Sequence, residues 1–199
     1  MHATLVLLLA ALGSPAQASD AAPMLPVVPV VATQPQYRVD AARSEARFQV
    51  RLRTLRRVDG HFGRMHATVL ADDAGTLQVR VRLDADGVVF PGRGGYAHWA
   101  RSEAFFDAAR HPEIRFESLP FARALLARGG ELRGLLVLRG TTRPVRFRVE
   151  PAACGAPGLD CPIEVRGEVS RSEFGMTALQ MAIADRVRFA FSLRLEPLA

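Results

Sequence analysis

From Tyr37 to the C-terminus, nearly every segment of this chain alternates apolar and polar residues with a period of two. Phe48, Val50 and Leu52 oppose Arg47, Gln49, Arg51 and Arg53, and Leu77, Val79, Val81 and Leu83 oppose Gln78, Arg80, Arg82 and Asp84. Val145, Phe147 and Val149 oppose Arg146, Arg148 and Glu150, and Val187, Phe189, Phe191, Leu193 and Leu195 oppose Arg186, Arg188, Ser192, Arg194 and Glu196. Successive side chains on a strand point to opposite faces, so the pattern describes antiparallel strands with one face hidden from water. Turn chemistry separates the runs at Asp72-Asp73-Ala74-Gly75, Arg128-Gly129-Gly130 and Arg139-Gly140-Thr141-Thr142-Arg143-Pro144. About eight strands of useful length result, with no internal repeat and no strand–helix–strand alternation. A single sheet of that size removes its edges by closing on itself. The expectation is an all-β, antiparallel eight-stranded barrel spanning 37–199.

One stretch breaks the alternation. Trp99 to Phe116 reads W-A-R-S-E-A-F-F-D-A-A-R-H-P-E-I-R-F. The spacing predicts a helix over 97–109 with Trp99, Phe105 and Phe106 turned inward, ended by His111-Pro112 because the residue before proline leaves the α region. A single short helix among strands reads as a cap on one end of the barrel. A shorter helical turn is expected at 171–175.

Residues 1–18 fall outside this pattern. Leu5 to Leu12 is apolar, and Gly13-Ser14-Pro15 and Ala16-Gln17-Ala18 follow it. This is an export leader with a small-x-small cleavage site, placing the mature start at Ser19; the run is far shorter than the roughly 20 residues a spanning helix needs. Residues 19–36 read as a proline-punctuated tether. In an exported chain Cys154 and Cys161, held in C-G-A-P-G-L-D-C, read as a disulfide. All 26 basic residues are arginine, and the net charge is +6. For an exported protein this favours anionic lipid head groups and envelope polymers over nucleic acid.

The chain carries no catalytic constellation. There is no G-x-S-x-G elbow, no phosphate loop and no H-E-x-x-H. His61 and His66, five apart on a strand, fall on opposite faces, which leaves no metal site. The inward set is instead strongly aromatic: Phe48, Val50, Phe62, Val81, Phe116, Leu136, Phe147, Phe189 and Phe191, with Phe105, Phe106, Phe174 and Met176 near a rim. An eight-stranded barrel is either filled by such side chains or holds one slender ligand, and alternation alone does not distinguish the two.

Five motifs in order carry a resemblance. They are Tyr37-Arg38-Val39-Asp40, Gly60-His61-Phe62-Gly63, the block R-S-x-x-F-F-D-x-x-x-x-P-x-I-x-F from Arg101 to Phe116, Gly134 to Val145, and Arg171-Ser172-Glu173-Phe174-Gly175-Met176. Together they resemble the YceI-like family, periplasmic proteins with a lipocalin-like barrel that bind polyisoprenoids and related lipids. The resemblance implies that Phe105, Phe106, Phe116, Phe174 and Met176 line or gate an apolar pocket. It places Arg101, Ser102, Arg171 and Ser172 nearer its polar end, where a guanidinium would pair with a head group. It also makes a homodimer an expectation. One departure is His98, displaced from the family's position directly before Arg101-Ser102. The function expected is non-catalytic: an exported, periplasmic protein holding an isoprenoid, quinone-like or fatty-acyl chain and no other cofactor. The competing expectation is an envelope stress or interaction module, a filled barrel presenting arginine faces to an anionic membrane surface or a protein.

Overall fold

Period-two segments become strand almost everywhere in the computed structural model, which describes residues 34–198; the leader at 1–18 and the tether as far as residue 33 lie outside the described residues. Thirteen strand segments join one sheet. They are β1 (Gln34–Val39), β2 (Glu45–Leu52), β3 (Arg57–Phe62), β4 (Met65–Ala71), β5 (Thr76–Asp84), β6 (Val88–Val89), β7 (Glu113–Ser118), β8 (Phe121–Ala122), β9 (Gly130–Leu138), β10 (Thr141–Val149), β11 (Ile163–Ser170), β12 (Ile183–Leu193) and β13 (Leu195–Pro197). Tether residues Gln34 to Gln36 thus already belong to the sheet, although Pro35 costs β1 a register shift against β4.

Four strands bend and are each split in two, and the two-residue β8 only extends the pairing of β5, so the thirteen segments form eight main strands as expected. β1 and β2 are halves of one strand, broken by a turn whose Asp40 carboxylate accepts from the Ala42 and Arg43 amides. The same holds for β3 with β4, β5 with β6, and β12 with β13. The breaks lie side by side on neighbouring strands: Arg194 exchanges hydrogen bonds with the Ser44 hydroxyl, and the Gly63 amide donates to the Gly87 carbonyl. Pairing runs antiparallel from β1/β2 to β3/β4, β5/β6, β7, β9, β10, β11 and β12/β13. It returns through β12 on β2 and β13 on β1. Every long strand therefore has two neighbours, which removes the exposed edges an open sheet would carry.

Large rings on the inner face need room, and glycines on the next strand supply it. Phe48 lies opposite Gly60, and Phe147 opposite Gly167. A Cβ at either glycine would collide with the ring it faces. The aromatic network continues inward through Phe116–Phe147 and Phe147–Phe191, both edge-on, at 5.3 and 5.9 Å between centroids.

The helix differs from the expectation. α1 runs Gly94–Arg101, not 97–109. Ser102 turns extended, and residues 102–111 form tight turns in which the Phe106 amide donates to the Ala100 carbonyl and the Arg110 and His111 amides donate to that of Asp107. Asp107 adopts φ +51, which no helix accommodates. Packing of Phe106 against Phe62 of the barrel, with Phe105 on Trp99, overrides the local helical pattern. Trp99 is half-exposed and leans on Phe105 instead of turning fully inward. The helical turn at Arg171–Phe174 forms as expected, and Gly175 closes it with φ +74. A second short helix, α2 (Ala124–Arg128), precedes β9. Cys154 and Cys161 are joined, their Cα atoms 6.0 Å apart.

Candidate functional site

The barrel is hollow at one end. A chamber of about 700 Å³ opens there, roofed by α1 and the turns after it and walled by β2, β3, β11 and β12. Of the residues singled out from the sequence, Phe48, Val50, Phe105, Phe106, Met176 and Phe189 line it. A second space of about 80 Å³ lies deeper, lined wholly by apolar side chains, among them Phe62, Val81, Phe116, Leu136, Phe147 and Phe191. Phe106, Leu138 and Phe189 border both spaces and form a waist between them. Phe174 borders neither; it is fully buried and acts as a wedge beneath the 171–175 turn.

Sequence reasoning missed much of the upper wall. Leu138, Val169, Ile183 and Val187 face the chamber, with Phe90 and Tyr96 beneath the helix. Val187 was legible as inward from its alternation. Phe90 sits in the irregular run before α1, and Tyr96 lies in the first turn of α1, ahead of the 97–109 span that the spacing marked.

The four residues expected near a head group have other partners. Arg171 is buried, and its guanidinium donates to the carbonyls of Met176 (2.5 Å), Ala178 (2.8 Å), Ala184 (3.2 Å) and Ile183 (3.2 Å). It borders the chamber, yet four of its five donors hold residues 176–184. Burial pulls its pKa below the ordinary arginine value, opposed by the nearby Asp185 carboxylate. Ser172 donates its amide to Asp185 at 2.9 Å. Burial raises the Asp185 pKa, but hydrogen bonds from Ser172 and Ser170 outweigh it and hold the group below the usual carboxylate range. Arg101 donates to the Val88 carbonyl at 3.2 Å and ties the end of α1 to the barrel. The Ser102 hydroxyl donates to the Trp99 carbonyl at 2.7 Å. In the structure these donors go to carbonyls of the chain and, for Ser172, to the Asp185 carboxylate. Besides Arg171, the polar residues along the chamber wall are Arg53 and Thr54, at the tip of the β2–β3 turn.

The chemistry available is therefore apolar binding. Among the described residues no three His, Cys, Asp or Glu side chains converge on a metal-sized space.

Comparison with known proteins agrees with this geometry. Residues 37–195 match the YceI-like domain. Among solved structures, BcnA of Burkholderia cenocepacia superposes with a TM-score of 0.66 at 22% identity, covering 79% of this chain and 99% of that one. A polyisoprenoid binding domain from Saccharophagus degradans, implicated in plant cell wall breakdown, gives 0.62 at 18% identity over 83% and 100% of the two chains. A YCEI protein of Campylobacter jejuni gives 0.55 at 17% over 71% and 85%. At these identities the likeness establishes the fold. No curated protein matches the sequence.

Proposed function

Because the chain belongs to the YceI-like family, we propose that it is a periplasmic carrier that holds the tail of a polyisoprenoid, quinone-like or acyl lipid inside its barrel. The observation that carries this reading is the 700 Å³ apolar chamber with its narrow continuation past Phe106, Leu138 and Phe189. A barrel filled by its own side chains would leave no such space. Each methylene buried contributes about 0.8 kcal/mol, so ten would give about 8 kcal/mol. That exceeds the lower figure of about 4 kcal/mol that association costs. A short chain would not hold; a long one would.

Charge sets the direction of entry. An unpaired ionised group deep in so apolar a space would cost several kcal/mol. The tail enters first, and the head group stays at the mouth beside Arg53 and Thr54. Arg101, Ser102, Arg171 and Ser172 then shape the mouth instead of touching the head group. The disulfide suits an oxidising compartment, as expected for export by the leader at 1–18. The chain needs no catalytic group for this role.

The alternative, arginine faces presented to a partner, draws less support. Most of the outward strand arginines already have carboxylate partners: Arg47 with Glu45, Arg80 with Glu117, Arg146 with Glu131, Arg148 with Glu150, and Arg186 and Arg188 with Glu168.

Titration with an apolar fluorescent dye, followed by displacement with a long-chain polyisoprenoid alcohol, tests the proposal. Saturable uptake at one site per chain and competitive displacement are expected. Absence of uptake, or uptake untouched by the competitor, would overturn it.

A further inference from the structure

The loops around the chamber mouth are costly ones. Among the described residues, four that are not glycine have positive φ, namely Leu55, Asp107, Arg139 and Leu179, and all four lie at this end of the barrel. Two of them have visible compensation. Asp107 is buried with its carboxylate 2.8 Å from Arg110, and Arg139 donates to the Gly175 carbonyl at 2.6 Å. Leu55 and Leu179 are held only by backbone bonds of their own turns, from the Leu55 amide to the Leu52 carbonyl and from the Ala182 and Ile183 amides to the Leu179 carbonyl. Glycine or asparagine would relieve both backbones, yet each position carries a leucine: Leu55 is turned toward water at 72% exposure, and Leu179, at 41%, borders the chamber at its lip. Met181 is 87% exposed beside them, and Trp99 and Tyr96 are half-exposed across the mouth. The turn carrying Leu55 is fastened to the loop carrying Met181: the Arg53 amide donates to the Ala182 carbonyl at 2.8 Å. These apolar groups thus form a rim around one opening.

The rim also carries arginines without a carboxylate partner. Arg53, Arg56 and Arg93 have no carboxylate within 4 Å among the described residues. Arg93 instead lies 5.5 Å from the centre of the Tyr96 ring. Exposed aliphatic tips, aromatic side chains with one wet edge, and unpaired arginines behind them are what a bilayer interface bearing anionic lipid accommodates. A protein partner would need a defined complementary shape; a fluid interface does not.

We propose that the mouth of the barrel docks onto an anionic bilayer, with Leu55, Leu179, Met181 and Trp99 entering the interface and Arg53, Arg56 and Arg93 meeting lipid phosphates. The chamber then faces the hydrocarbon directly, so a tail passes from bilayer to barrel without crossing water. Docking is a property of the rim and does not depend on the chamber being filled.

Flotation of the full exported chain with vesicles tests it, using 3:1 phosphatidylcholine to phosphatidylglycerol against phosphatidylcholine alone. Partition is expected to be at least tenfold stronger on the anionic vesicles and to weaken steeply at high salt. Leu55→Gly should lower it about tenfold while raising the thermal midpoint, because the strained backbone relaxes. Arg56→Gln with Arg93→Gln should erase the preference for anionic lipid. None of these residues lines the chamber, so apolar dye uptake should stay within twofold in every variant. Wild-type protein that ignores both vesicles, or variants that float as well as wild type, would overturn the proposal. So would light scattering that shows a dimer dispersed by Leu55→Gly, since the rim would then be covered by a second copy. Dye uptake is measured separately, so failure of the carrier reading and failure of docking are distinguishable.

Discussion

Arg171 shows how a buried charge acts as a fastener. Its guanidinium collects four carbonyls from residues 176–184, using four of its five N–H donors on the chain itself. Arg171→Met would strand those carbonyls next to an apolar wall, and we expect a loss of about 3 kcal/mol, read as a lower denaturant midpoint with unchanged slope. Asp185 contributes from the other side of the loop. Its pKa is lowered on folding, so its stabilisation is complete above the ordinary carboxylate range near about 4 and is lost as pH falls through the lower folded value. The acid limb of the stability curve should therefore shallow in Asp185→Asn. Sequence spacing identified Arg171 through its R-x-x-F-G-M context, but a linear motif does not reveal whether donors face a guest or the backbone. Gly60 was legible as part of a turn motif; its actual work, clearing space for the Phe48 ring, depends on cross-strand register. Gly60→Ala should cost about 1–3 kcal/mol by overpacking.

At the scale of elements, alternation located the strands well because a two-residue period survives local bending. It did not show the bends themselves. Asp40, Gly63 and Arg194 interrupt strands without changing their neighbours, so one long strand is recorded as two. The helix was misplaced for a different reason: the pattern around Phe105 and Phe106 is helical in spacing, but Phe106 packs on the barrel, Phe105 packs back on Trp99, and Asp107 takes a left-handed conformation. The loop closed by Cys154–Cys161 packs Gly158 against Leu195 and Ile163, linking the closed end to β13 and β11. Replacing both cysteines by serine should cost about 2–3 kcal/mol in thermal or chemical unfolding. It should leave dye uptake intact, because the chamber opens at the other end.

The whole molecule is a closed sheet with an unequal interior. Eight strands close by hydrogen bonding, the lower half is packed by rings, and the upper half stays empty. Closure followed from strand number and the absence of crossover helices, both readable in the sequence. Hollowness was not readable, because periodicity assigns faces and says nothing of volume. Trp99 was marked as an inward residue but is half-exposed, Tyr96 lies just ahead of the expected helix, and the mouth leucines lie in turns where no period singles them out. The account therefore rests on the chamber being available to a guest. Native mass spectrometry of the protein taken directly from the periplasm, beside Val50→Trp, tests this most directly. Val50 lines the chamber, and an indole there should occupy the path of a tail while the folded barrel is retained. The account predicts a lipid adduct on the wild-type protein that organic extraction removes and that is absent from folded Val50→Trp. Wild-type protein that is lipid-free as isolated and refuses an apolar dye, or Val50→Trp carrying the same adduct at the same occupancy, would contradict it.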